Sequence, residues 1–101
     1  MDRLIVTTLP NRNYIAAFVA SPEGKPAVGL GLSNFKVRTT VPGADGAYLT
    51  ISGVAASALR GFYVLDMAAL SGPTRRGIYV FDLIVELGEH SGRALSSVIM
   101  T

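Results

Sequence analysis

The sequence predicts an all-β fold, an antiparallel β-sandwich of about seven strands that forms a single domain over residues 1–101. Short stretches rich in β-branched and aromatic residues recur about every ten residues, and Gly and Pro separate them. In addition, residues 77–83, GIYVFDL, repeat residues 61–67, GFYVLDM, with Gly, Tyr, Val and Asp at the same offsets. We expect these two segments to be the central strands of the sandwich.

The first elements are two strands at residues 4–7 and 14–20. Pro10 ends the first, which we therefore expect at a sheet edge. The second places apolar side chains on both of its faces. Prolines and a glycine within residues 21–26 then predict a turn, because proline presets φ and glycine allows positive φ.

The middle of the chain carries the clearest alternation. We expect residues 29–32, GLGL, to be a strand in which small residues permit close packing. Over residues 35–41 apolar and polar positions alternate, so that Lys36 and Arg38 are predicted to face solvent. Residues 42–46 form a second predicted turn, and residues 47–52 a further half-buried strand.

In the last part of the chain, residues 54–60 are the one segment where a short helix competes with a strand, because alanines and Leu59 favour helix. The two repeated segments follow, joined by a connector whose Pro73 forbids a continuous strand. Residues 88–92 predict a turn, and residues 93–100 a final strand in an antiparallel hairpin with the strand before it.

The composition narrows the classes of partner that the chain is expected to bind. Nine Lys and Arg residues stand against seven Asp and Glu, spread along the chain, so nucleic acid and anionic lipid are poor candidates. The longest apolar runs are far shorter than the roughly 20 residues of a membrane-spanning helix. The absence of cysteine excludes disulfides, thiolate catalysis and Cys-type zinc sites, and it leaves the compartment open.

The apolar surplus points to burial against a partner. Half of the residues are apolar and 16% are charged, where roughly 25% is usual. On residues 77–86 one face is predicted to be core, and Ile78, Val80 and Ile84 lie on the other; Phe62 and Val64 hold the same pattern in the earlier repeat. These five residues are the predicted interface, with a second copy as the simplest occupant. The alternative is that a neighbouring loop or residues 54–60 cover them.

The sequence offers few residues from which a catalytic or metal site could be built. Asp66 and Asp82 hold equivalent places in the repeats, and Glu86 lies two side chains beyond Asp82. These carboxylates could bind calcium or act as acid and base only if their oxygens converge on one point. Their simpler role is to bond a backbone donor or an arginine. His90, the only histidine, is predicted to be a solvated turn residue, since no serine nucleophile motif accompanies it. We expect no enzyme activity and no cofactor.

A second function class remains open. Tyr48 is the tyrosine on an otherwise polar face, and with Lys36 and Arg38 it forms a candidate platform for a sugar or another small ligand, since such platforms stack rings on the ligand.

Two motifs resemble known sandwich families. Residues 23–30, EGKPAVGL, resemble the G-K-P-V-x-G turn near the start of prealbumin-like (carboxypeptidase-regulatory-like) domains, and residues 77–80, GIYV, are similar to the G-x-Y that opens a late strand there and in Ig-like modules. The resemblance implies an Ig-like or prealbumin-like sandwich that serves as an interaction, spacer or assembly module, and it transfers no functional residue. The expected function is therefore a non-catalytic structural or protein–protein interaction module, most simply a homo-oligomer.

Overall fold

The computed structural model describes residues 3–41, 48–70 and 76–101, with the backbone alone at residues 39–41. Seven strands lie in this part of the chain. They are β1 Ile5–Pro10, β2 Tyr14–Ala20, β3 Phe35–Val41, β4 Leu49–Ala56, β5 Phe62–Ala69, β6 Gly77–Leu87 and β7 His90–Met100. A 3₁₀ turn at Leu32–Asn34 precedes β3. The predicted all-β sandwich is confirmed; the predicted turn at residues 42–46 lies outside the described residues.

The strands form two antiparallel sheets. One has the order β1-β2-β5-β4 and the other the order β3-β6-β7. The repeated segments are thus β5 and β6, which are central strands as the sequence predicts, and each lies in a different sheet. Each places its repeat tyrosine inward: Tyr63 is 2% exposed and Tyr79 is fully buried.

A single cluster of apolar side chains fills the space between the sheets. Phe81, Leu83 and Val85 from β6 meet Leu65 from β5 and Ile15 from β2, all fully buried. Burying a large apolar side chain contributes roughly 1.5–3 kcal/mol, so the inward side chains of the central strands stabilise both sheets together.

The two lateral seams of the sandwich differ. β1 runs beside β7, and the two are bridged in parallel at Arg3–Ser91 and Arg12–Ile99. The amide of Leu4 donates to the carbonyl of Ser91 at 2.8 Å. On the other side β3 and β4 are the edge strands, and each has a register irregularity, between Thr39 and Val41 and between Ile51 and Gly53.

One predicted element is wrong. Residues 29–32 do not form a strand, because Gly29 takes φ of +76° and the segment carries the chain from one sheet to the other. At residues 54–60, where the sequence leaves a short helix and a strand open, no helix forms. Instead β4 continues to Ala56, because the irregularity beside Gly53 turns Val54 towards the core.

The last hairpin is longer than predicted. Its turn is Gly88 and Glu89, with Gly88 at φ of +61°, so β7 begins at His90 and not at residue 93. The two strands pair over their full length, from Leu87 with His90 to Gly77 with Met100. This register decides which β7 side chains lie beside the outward side chains of β6.

Candidate functional site

The outward surface of β3, β6 and β7, called here the three-strand face, carries an apolar patch. Ile78 on β6 is 67% exposed, and Leu95 and Ile99 on β7 are 69% and 44% exposed. Ile78 is paired with Ile99, and half-buried Val80 lies one outward position further along β6. Four aliphatic side chains on two neighbouring strands therefore face outward together.

Charged side chains border this patch on the same face. Lys36 pairs with Glu86, with Nζ 2.6 Å from Oε1, and Arg93 lies near Asp82, with Nη2 3.6 Å from Oδ2. Arg38 on β3 is registered opposite Asp82 and is exposed. Arg3, exposed beside Ser91, lines a groove with Ile84, Glu86 and Arg93. Among the described residues four cations and two carboxylates thus lie on or beside this surface, so it carries a surplus of positive charge.

Ile84 occupies the charged part of the three-strand face. It is half-buried, and it is registered between Lys36 on β3 and Arg93 on β7. Long basic side chains cover apolar neighbours with their methylene stems. Of the predicted interface residues on this face, Ile78 is thus the most exposed, and Ile84 is partly sheltered by its own sheet.

The opposite surface, called here the four-strand face, is formed by the outward side chains of β1, β2, β5 and β4. Leu9 on β1 is 59% exposed. In register beside it lie Ala16 on β2, Val64 on β5 and Ala55 on β4. Phe18 and Phe62 are paired in the next row, with ring centroids 4.7 Å apart. The row through Leu9 is apolar across all four strands.

The five predicted interface residues divide between these two faces. Ile78, Val80 and Ile84 lie on the three-strand face, whereas Phe62 and Val64 lie on the four-strand face. Residues 54–60 do not cover the first group, since they follow β4 of the other sheet and Ile78 stays 67% exposed. Ala55 does lie beside Val64, so this segment extends the four-strand face.

The repeat gives the central strands of both faces the same outward pattern, an apolar residue, a valine and an aspartate. On β5 the outward positions are Phe62, Val64 and Asp66, and on β6 they are Ile78, Val80 and Asp82. Asp82 has arginines beside it, whereas Asp66 is registered between Tyr14 on β2 and Gly53 on β4. The two faces share an apolar pattern and differ in the charges around the aspartate.

The same geometry separates the candidate carboxylates. Asp66 and Asp82 lie on opposite faces of the sandwich, and Glu86 is engaged by Lys36. Among the described residues no group of three or more His, Cys, Asp or Glu is placed to hold a metal ion. The calcium or acid–base grouping considered from sequence is therefore not assembled in this part of the chain.

His90 is not the solvated turn residue that the sequence predicts. It begins β7, is half-buried, and lines a groove of about 320 Å³ together with Leu4, Glu23 and Pro26. A hydrogen bond from the Ser21 hydroxyl, with one from the Glu23 backbone and the nearby His90 charge, lowers the pKa of the exposed Glu23 carboxyl. The groove lies at one end of the sandwich, away from the apolar patch of Ile78 and Leu95.

The alternative ligand residues fall on different elements. Lys36 and Arg38 project from β3, and Tyr48 precedes β4 in the other sheet, where it is 51% exposed. A groove of about 430 Å³ between β3 and β4 is lined by Lys36 but by neither Arg38 nor Tyr48. Lys36 also forms an ion pair with Glu86, so its charge is already partnered within the chain.

Sequence reasoning missed Leu95, Ile99 and Leu9. The hairpin turn supplies the signal for the first two, since a two-residue turn at Gly88 and Glu89 sets Leu95 opposite Asp82 and Ile99 opposite Ile78. Leu9 has no such local signal, because its place depends on which strand β1 pairs with.

Comparisons of the chain with family models, with curated proteins and with solved structures found no match in any of the three. Among the described residues, none of the helical segments has the length and apolar character needed to cross a membrane. What the chain does is therefore inferred from its two faces.

Proposed function

We propose that this chain is a non-catalytic β-sandwich module that works by self-association through its apolar sheet faces. The observation that carries the proposal is the three-strand face, where Ile78 and Leu95 are each about two-thirds exposed on neighbouring strands beside Ile99. Apolar patches on the surface of a small protein, rimmed by polar groups, are typical of interaction sites. Here the rim is formed by Arg38, Asp82 and Arg93.

The strand order supports an Ig-like architecture. Lettered in chain order, the two sheets read A-B-E-D and C-F-G, the order of constant-type immunoglobulin domains. The chain has neither tryptophan nor cysteine, so the likeness is one of topology without the buried Trp and disulfide of antibody domains. Many cell-surface domains share this sandwich architecture without sequence similarity.

The edges of the sheets favour association by faces over association by strand addition. Edge strands β3 and β4 both carry register irregularities, and β3 also carries Lys36 and Arg38. Bulges and charged side chains are the devices by which proteins protect edges from pairing. On the other side β1 and β7 are bridged to each other. The faces are the surfaces left available to a partner.

The test removes the apolar character of the three-strand face. We expect the double change Ile78→Lys with Leu95→Lys to abolish self-association and to leave the fold intact, because both side chains point outward and cost little to replace in the monomer. The measurement is mass in solution by light scattering over a range of concentrations, with circular dichroism to report the sheets.

The matched control is Leu59→Lys. Leu59 is 64% exposed in the turn that joins β4 to β5, outside both faces, and its replacement should leave the mass unchanged. A wild-type chain that stays monomeric at every concentration contradicts the proposal. So does a double variant that associates as the wild type does.

A further inference from the structure

We infer that the two faces bind each other, so that the three-strand face of one copy packs on the four-strand face of the next and the module stacks into a linear array. This inference rests on the proposed function and adds the occupant of each face. Three features carry it: the repeated outward residues, the charges beside them and the equal size of the faces.

The repeat puts the two faces in register. The central strands present an apolar residue, a valine and an aspartate at alternate positions: Ile78, Val80 and Asp82 on β6, and Phe62, Val64 and Asp66 on β5. Stacked sheets pack about 10 Å apart with their strands nearly aligned. When β6 of one copy lies along β5 of the next in the same direction, apolar residues meet apolar residues.

The charges select the opposite face. In that register Asp82 comes to Asp66 of the next copy together with Arg38 and Arg93, so that two arginines offset the two aspartates. Asp66 is exposed and has no cation registered beside it on β2 or β4. The three-strand face carries a surplus of positive charge that includes Arg38, and Asp66 is a negative charge on the other face. Complementary charges fix partner and register at an interface.

The areas also match. With strands about 4.8 Å apart and a rise of about 3.4 Å per residue, three strands of up to 11 residues and four strands of up to 8 residues each span roughly 500 Å². Pairing them buries about 1,000 Å² in total, the lower end for specific interfaces. The contact is therefore weak, and the array grows with concentration.

Opposite faces make the contact head-to-tail. The two faces lie on the two sides of a molecule with Cα extents of 41 × 28 × 19 Å, so each added copy presents the same free face as the one before it. A head-to-tail contact that does not close into a ring continues as an open array. A face that bound its own kind would give a symmetric dimer instead.

The test is a complementation between two blocked variants. One carries Ile78→Lys and Leu95→Lys on the three-strand face, and the other carries Leu9→Lys and Ala16→Lys on the four-strand face. Lysine is used in both so that the blocked faces repel each other. Masses are measured by sedimentation between about 10 µM and about 1 mM, a range that suits an interface of this size.

The expected result has three parts. The wild-type mass rises past twice the 10.6 kDa of the chain, each variant alone is monomeric, and their equimolar mixture reaches the mass of a dimer and stops there. Only a head-to-tail contact gives a dimer from two variants that are each monomeric, because each supplies the face that the other lacks.

Other outcomes separate this inference from the proposed function. If the four-strand variant forms dimers alone, or the wild type stops at a dimer, the head-to-tail contact is wrong and self-association by the three-strand face stands. A wild type that is monomeric throughout overturns both. Should Ala16→Lys fail to fold, Leu9→Lys alone, at a 59% exposed position, replaces it in the same mixture.

Discussion

The Tyr63 hydroxyl holds a stretch of chain that has no strand of its own. It donates to the carbonyl of Ala27 at 2.7 Å and accepts from the amide of Leu30 at 3.3 Å. Both partners lie in the connector between β2 and β3, where the chain crosses from one sheet to the other. A buried side chain thus supplies the hydrogen bonds that a sheet neighbour would otherwise provide.

We predict that Tyr63→Phe lowers the free energy of unfolding by about 1–3 kcal/mol, because the buried Leu30 amide and the Ala27 carbonyl lose their partner. For a domain of this size each 1 kcal/mol shifts the melting temperature by about 4–8 °C. Urea unfolding and a thermal melt both measure the change.

Tyr48→Phe is the matched control for Tyr63→Phe. Tyr48 is 51% exposed, and the loss of its hydroxyl should change stability by less than about 0.5 kcal/mol. Equal losses in the two variants would mean that the hydrogen bonds of Tyr63 do not stabilise the connector.

At the scale of elements, Gly92 lets β1 approach β7. A Cβ at this position would overlap the carbonyl oxygen of Leu4 and come within 2.9 Å of Val6 Cγ2. Leu4 is also the residue whose amide donates to the Ser91 carbonyl. The closed seam of the sandwich therefore depends on the absence of a side chain at one position of β7.

We predict that Gly92→Ala destabilises the protein by about 1–3 kcal/mol, because inserting a carbon into a close-packed contact forces the backbone of β1 to move. Hydrogen exchange should speed up first at the Leu4 amide. Gly31→Ala is the control: a Cβ there meets nothing within 4 Å, and its φ of −124° suits any residue. Unchanged exchange at Leu4 in Gly92→Ala would contradict the role of the close approach.

Local pattern is enough to predict most of the strands. The repeat at residues 61–67 and 77–83 identifies both central strands, and the alternation at residues 35–41 gives β3. The course of β4 beyond Ser52 cannot be read this way, because one extra residue reverses which side chains face inward. Residues 29–32 fail for a different reason: the crossing between sheets overrides their apolar pattern.

The candidate site is predicted only in part. That Ile78, Val80 and Ile84 share the outer face of their strand follows from its period of two. That Phe62 and Val64 lie on the opposite surface of the sandwich does not follow, since it depends on which sheet each central strand joins. Sheet membership is decided by contacts between residues far apart in sequence, and the repeat alone suggests one shared surface.

At the scale of the whole molecule, the fold protects its edges and leaves an apolar patch on each flat surface. Its free edge strands, β3 and β4, are irregular, and the seam between β1 and β7 is bridged. The two faces lie back to back across the thin dimension of the sandwich. If both faces bind, as proposed, one partner cannot use them at once, and assembly is either paired or continuous.

The charges of the two faces distinguish these cases. We predict that Arg38→Gln and Asp66→Asn each weaken wild-type self-association, by up to about fivefold in Kd, since a solvent-exposed ion pair contributes about 0.2–1 kcal/mol. The variant with both changes should be no weaker than either single variant, because the same pair is lost in all three. Sedimentation at matched concentrations measures the three constants.

The control for the Arg38 and Asp66 variants changes charges outside both faces. Lys25→Gln lies in the turn after β2 and Glu89→Gln in the turn between β6 and β7, both exposed, and neither should alter the Kd. If Arg38→Gln and Asp66→Asn act additively, the two side chains do not meet across the interface. In that case the arginine and the aspartate contact different partners, and the stacking of unlike faces is wrong.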